Sequence, residues 1–220
     1  MDSLAGLGTD PLLLVLVLVW LSLAPFAAVM VTSFAKIAIV VFLIRNALGI
    51  HEIPPNVVLY GLALVLTLYI MAPIGVATYD HLKDDNLTEM PTEELFEALD
   101  EAAEPLREFL LKHSEANSRL FFSETAYEVW PEEMHDTISD TNPLILIPAF
   151  TVGELKRGFE IGFLLYLPFI VIDLVVSNIL LAMGMMMVSP MTISLPFKLF
   201  LFVLVDGWTR LLQGLVLSYQ

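Results

Sequence analysis

The feature that most limits this chain is the alternation of long uncharged runs with one acidic block. Pro11 to Ala35 holds no Asp, Glu, Lys or Arg, and Ile53 to Tyr79 holds none either. Each exceeds the roughly 20 residues that a helix needs to cross a hydrocarbon core. Ile161 to Phe197 is broken only by Asp173, and Lys198 to Tyr219 carries only Lys198, Asp206 and Arg210. Hydrophobic residues make up 57% of the chain, more than a soluble domain usually carries. The surplus must be covered by lipid or by partner proteins. The pattern predicts an all-α, membrane-protein-like fold. Two apolar helical hairpins, residues 1–79 and 143–220, flank a small helical acidic insert, residues 80–142.

The charge sits in that insert. Between Asp80 and Asn142 there are 18 acidic and four basic residues, so this segment supplies −14 of the net −15. Nucleic-acid binding needs basic surface to release counterions and is not expected. Pro91-Thr92-Glu93-Glu94 reads as a helix start, with acids at the positive end. Leu95, Leu99, Ala102, Leu106 and Phe109 follow at helical spacing, with Pro105 expected to kink or divide the helix. Phe121, Phe122, Tyr127 and Trp130 form a second amphipathic stretch ending at Pro131. Lys36 and Arg45 read as the short basic connection of the first hairpin. The positive-inside tendency then places it in the cytoplasm and the insert outside. No basic residue precedes Lys36, so no ordinary signal peptide is expected.

Three groups of residues invite a functional reading. Charges at membrane depth usually face a partner or a water-filled cavity. Glu154, Asp173 and Lys198 are therefore expected to tie neighbouring helices or subunits, and Glu154 with Lys198 is a candidate for a rescuing charge swap. The alternative is that they lie near helix ends and reach water. Asp206 and Arg210 have the spacing of a pair on one helix face. Met183, Met185, Met186, Met187 and Met191 place five of the ten methionines within nine residues, beside Gly184, Ser189 and Pro190. Such adaptable side chains could line a deformable pore or merely fill gaps in a core. Pro25, Pro73, Pro148, Pro168, Pro190 and Pro196 lie among the apolar segments and predict bent helices with protein neighbours.

Other chemistry finds little support. There is no cysteine, which removes disulfides and thiolate chemistry. His51, His81, His113 and His135 lack metal-ligand spacing, and Asp84, Asp85 and Glu89 lack the glycine and alternation of a calcium loop. No nucleotide-binding or hydrolase motif is present. No metal, cofactor or enzyme activity is expected.

Several blocks are similar to the FliP/YscR/SctR family of type III secretion proteins. They are Phe42-Leu43-Ile44-Arg45-Asn46-Ala47-Leu48-Gly49 with Pro54-Pro55-Asn56, and Ile161 through Val175. Met183-Gly184-Met185-Met186-Met187-Val188-Ser189-Pro190 and Leu204-Val205-Asp206-Gly207-Trp208 complete the set. The resemblance covers about residues 12–79 and 143–219, and the chain looks most like the YscR-type injectisome member. It implies a subunit of the bacterial inner-membrane export gate. Such a subunit forms a homo-oligomeric ring, expected to be pentameric, completed by S-type and T-type export subunits. It would meet needle and inner-rod components and pass unfolded protein substrates. The resemblance also implies a methionine gasket at Met185, Met186 and Met187 and family charges at Glu154, Asp173 and Lys198. The assembled complex would project to the periplasmic side. A scaffold without pore lining and a small-solute transporter are the competing readings. A transporter predicts inverted halves around a central polar site, and no such cluster is visible.

Overall fold

A computed structural model describes residues 11–83 and 98–220, which are predominantly helical with no strand among them. The predicted start at Pro91 and the apolar position Leu95 lie outside the described residues. In chain order the helices are α1 (Pro11–Met30), α2 (Phe34–Ala47), α3 (Asn56–Leu82), α4 (Glu104–His113), α5 (Ala116–Val129), α6 (Pro143–Ala182), α7 (Pro190–Leu204) and α8 (Gly207–Leu217). A 3₁₀ segment, Glu132–Thr137, joins α5 to α6.

α2 sits at the centre. Ile37, Val40, Val41, Ile44 and Ala47 are buried along it against Leu59 and Ala63 of α3, Phe169 of α6, Phe202 of α7 and Leu211 and Leu215 of α8. α2 packs chiefly along α6. Gly158 and Gly162 of α6 allow that approach: a Cβ at Gly162 would collide with Leu43. A smaller core joins Phe109 and Leu110 of α4 to Leu146 and Phe150 of α6, so the insert leans on the first half of α6. Pro105 divides the insert's first helix, with residues 98–102 before it and α4 after it.

Two expectations from the sequence need correction. The first hairpin bends within its first half, and its two basic residues do not form a solvated connection. The axis turns by 67° between Leu21–Met30 and Phe34–Ala47, and Lys36 and Arg45 are buried within α2. Arg45 donates to the Pro54 carbonyl at 3.3 Å and to Asn56 Oδ1 at 2.5 Å, pinning the end of α2 to the start of α3. The positive-inside tendency counts solvated loop charges, so these two residues no longer supply that count. Nor is residues 198–219 one helix. α7 and α8 meet at 60° around Asp206, whose φ of +53° is left-handed, a region Asp tolerates better than most. Pro190 opens α7 and Pro196 lies inside it. α3 runs to Leu82, into the range read as insert.

α3 and α6 are each long and apolar enough to cross a membrane, and the two bent pairs would make four spans if each counts as one. Only 17% of the most apolar stretch of either long helix is buried within the chain. Val57, Leu68 and Tyr69 of α3 and Phe163 and Leu164 of α6 face outward. Apolar surface on this scale marks contact with lipid or protein.

Candidate functional site

Two charged clusters stitch the helices together. Glu154, in the first half of α6, is 0% exposed. Lys36 Nζ from α2 and Arg157 Nη1, one turn further along α6, both reach its carboxylate at 3.4 Å. The Tyr219 hydroxyl donates to the other carboxylate oxygen. Lys36 Nζ also stands 3.5 Å from the Tyr219 ring centroid, a cation–π contact. The same ring lies beside Phe109 and meets His113 edge-on. Arg157 donates to the His113 carbonyl at 2.8 Å. Four parts of the chain converge here: α2, α4, α6 and the C-terminal residues. Buried charges are tolerated when opposite charge and hydrogen bonds satisfy them together, and here both do. Burial, and then the charges of Lys112, Lys36 and Arg157, push His113 down to about 4.

The second cluster lies where α7 meets α6. Lys198 is 3% exposed and pairs with Asp173 at 2.6 Å. Ser194 Oγ donates to the other Asp173 oxygen at 2.6 Å. Lys198 also donates to the Ala47 carbonyl at 3.1 Å. That carbonyl is in the last turn of α2, where a cation is favoured by the helix dipole. Lys198 therefore does not reach out to water. Glu154 and Lys198 belong to different clusters, so the swap expected between them has the wrong partners. Each has its own: Lys36 for Glu154, Asp173 for Lys198.

Asp206 and Arg210 are not paired. The Asp206 carboxylate accepts from Thr209 Oγ1 at 3.0 Å, and its carbonyl accepts from the Arg210 backbone N–H. Asp206 is the N-cap of α8 with a left-handed backbone, so its side chain does not follow the helix face on which the pairing was expected.

The methionine turn is built by the end of α6. Gly184, with φ +74°, takes the left-handed position that glycine occupies without a Cβ penalty. Its N–H donates to the Leu181 carbonyl and that of Met185 to Leu180, the paired bonds of a Schellman ending. The methionines that follow project outward. Met185 is 43% exposed, Met186 81% and Met187 101%. They do not fill this chain's own core.

The sequence reading missed Lys36, Tyr219, Ser194 and His113 as members of these clusters. Lys36 carried a usable signal: it follows a 25-residue uncharged run and is followed by more apolar residues, which is the pattern of a buried, paired charge. Tyr219 carried none.

The FliP family model matches residues 17–215. The chain is 56% identical over 210 residues to Yop proteins translocation protein R of Yersinia pestis, covering 96% of this chain and 97% of the relative. It is 49% identical to Virulence protein YscR of Salmonella typhimurium, covering 98% of this chain and 100% of the relative. Harpin secretion protein HrcR of Erwinia amylovora is 44% identical, with 96% and 97% covered. A family model matching most of the chain, with identity of this extent over nearly the whole length, makes the chain a member of the FliP family.

Proposed function

We propose that this chain is a core subunit of the type III secretion export gate and that copies of it, with S-type and T-type subunits, enclose a conduit for unfolded substrates. The observation that carries the pore reading is the methionine turn. Met186 and Met187 are held outside the chain's own packing by a fixed helix ending, between two apolar helices. Adaptable side chains presented at one level by several copies form a seal that yields around a passing polypeptide. The 40 residues of α6 span about 60 Å at 1.5 Å per residue, twice a hydrocarbon core. Part of that helix must stand outside the bilayer, in keeping with a complex that projects from the inner membrane. Glu154, Lys156, Arg157 and Glu160 mark that part.

Replacing Met185, Met186 and Met187 with Ala in the assembled complex should make membranes leak ions or small dyes without loss of complex. Unchanged permeability in an intact complex would favour a scaffold without pore lining. In this reading the insert lies with the part of the complex that projects to the periplasmic side, an assignment that no longer rests on Lys36 and Arg45. A Ser123→Cys substitution should then react with an impermeant thiol reagent in intact cells whose outer membrane has been opened. Labelling only after inner-membrane lysis would reverse the topology.

A further inference from the structure

α6, α7 and α8 enclose an apolar groove of about 580 Å³, within the ~300–1,000 Å³ of ligand sites. Ile44 of α2 and Phe169 of α6 are among its walls, as are Phe202 of α7 and Leu211 and Leu215 of α8. Arg210 is the single charged residue along it. Among the described residues no acid pairs with its guanidinium, and no acceptor bonds to it. A ligand that suits these walls is a long apolar body with an anionic group at one end.

The course of the chain says where that end would lie. α7 has 15 residues, about 22 Å, short of a ~30 Å hydrocarbon core. At Asp206 the chain turns by 60° into α8, whose Leu211 and Leu215 are buried while Thr209, Arg210 and Gln213 are exposed. A one-sided helix of this kind, running off at an angle beside Trp208, is suited to headgroup depth.

We propose that this groove holds one acyl chain of an anionic glycerophospholipid whose phosphate meets Arg210. Arg presents several donors in a planar fork that matches phosphate geometry. An acyl chain has no polar group to satisfy, and the groove walls offer almost none. Resting on the proposed role as a membrane export subunit, the inference adds a lipid as a component of the gate, wedged where α7 turns into α8.

The test uses the full complex co-expressed with its neighbours, extracted in mild detergent and offered phosphatidylglycerol or phosphatidylcholine in nanodiscs. Lipid retained per subunit is read by native mass spectrometry. Phosphatidylglycerol should be retained in preference. Arg210→Gln should lower its retention about five-fold, the factor that matches ~1 kcal/mol per basic residue at a lipid surface. Arg210→Lys should restore most of it. Gly214→Trp, which fills an open position in the groove, should abolish it. Equal retention by wild type and Arg210→Gln refutes the proposal, as does loss only in the filled variant. So does a photo-crosslinker at residue 214 that captures another polypeptide, since the groove would then seat a partner helix. A complex that assembles and secretes but holds no such lipid removes this inference and leaves the export role standing.

Discussion

Removing Lys36 tests how the buried cluster holds the subunit together. Lys36 and Glu154 are 1% and 0% exposed and 3.4 Å apart. Taking away one partner of a buried pair costs about 3–5 kcal/mol, because the other charge is left in low dielectric. Glu154 would keep Arg157, which is 32% exposed and so weakly effective, and the Tyr219 hydroxyl. The lower end, about 3 kcal/mol, is therefore expected for Lys36→Met. For a chain of this length that lowers the unfolding midpoint by about 6–12 °C. Glu154→Leu alone should cost about as much, since it strands the Lys36 ammonium. The double variant removes both charges and should recover most of the loss, because apolar replacement of a whole buried pair is often neutral or stabilising. Arg157 retains the His113 carbonyl and partial access to water. Thermal unfolding in detergent, followed by intrinsic fluorescence, gives the four corners of the cycle. Additive losses, with the double variant about 6 kcal/mol down, would mean that the two residues act independently and that the pair does not hold α2 to α6.

At the second cluster Asp173 is 36% exposed and Lys198 keeps the Ala47 carbonyl, so Asp173→Asn should cost about 2 kcal/mol, less than the full cost of breaking a buried pair, and Ser194→Ala about 1.5 kcal/mol for one bond to a charged group. Unfolding midpoints in detergent check both, and a smaller loss for Asp173→Asn than for Ser194→Ala would contradict the arrangement. Stability should also respond to pH through His113. Its folded value, about 4, lies below the ordinary 6.5, so between them the unfolded chain binds the proton more strongly. The contribution of His113 is complete above pH 6.5 and fades as pH falls towards 4. Wild type minus His113→Asn, compared at pH 7 and 5, isolates it: the difference should shrink by about 1–2 kcal/mol. A constant difference would show that His113 titrates normally.

The fold class was legible because uncharged runs of more than 20 residues leave few alternatives to helix. Pro105 marked a real division, and Gly184, Ser189 and Pro190 stand at the break between α6 and α7. The bends were harder to see. Those of 67° and 60° fall at Val31–Ser33 and at Val205–Asp206, and no proline lies in either. The first occupies a short uncharged stretch that leaves hydropathy unbroken; the second turns on Asp206, whose charge was visible but whose left-handed backbone was not. Glu154, Asp173 and Lys198 were legible as charges that tie helices, Lys36 was not, and none was legible in its pairing. Lys36 and Glu154 are 118 residues apart and Lys198 and Ala47 are 151 apart. Spacing along a helix carries no information about partners from other elements, and the one pair argued from spacing, Asp206 with Arg210, is absent.

These pairings bear on how subunits meet. The interior charges argued from sequence, Glu154, Asp173 and Lys198, have their partners within one chain, whereas Val57, Leu68, Tyr69, Phe163 and Leu164 point outward. That inverts the usual soluble arrangement of apolar interior and charged surface. A neighbour packing on α3 or α6 therefore need not supply a countercharge to Glu154 or Lys198. It meets broad apolar faces, which associate by area and shape rather than by exact polar register. Faces of that kind tolerate small shifts between neighbours, while the two ion-pair clusters hold the chain's own helices in place relative to its methionine turn.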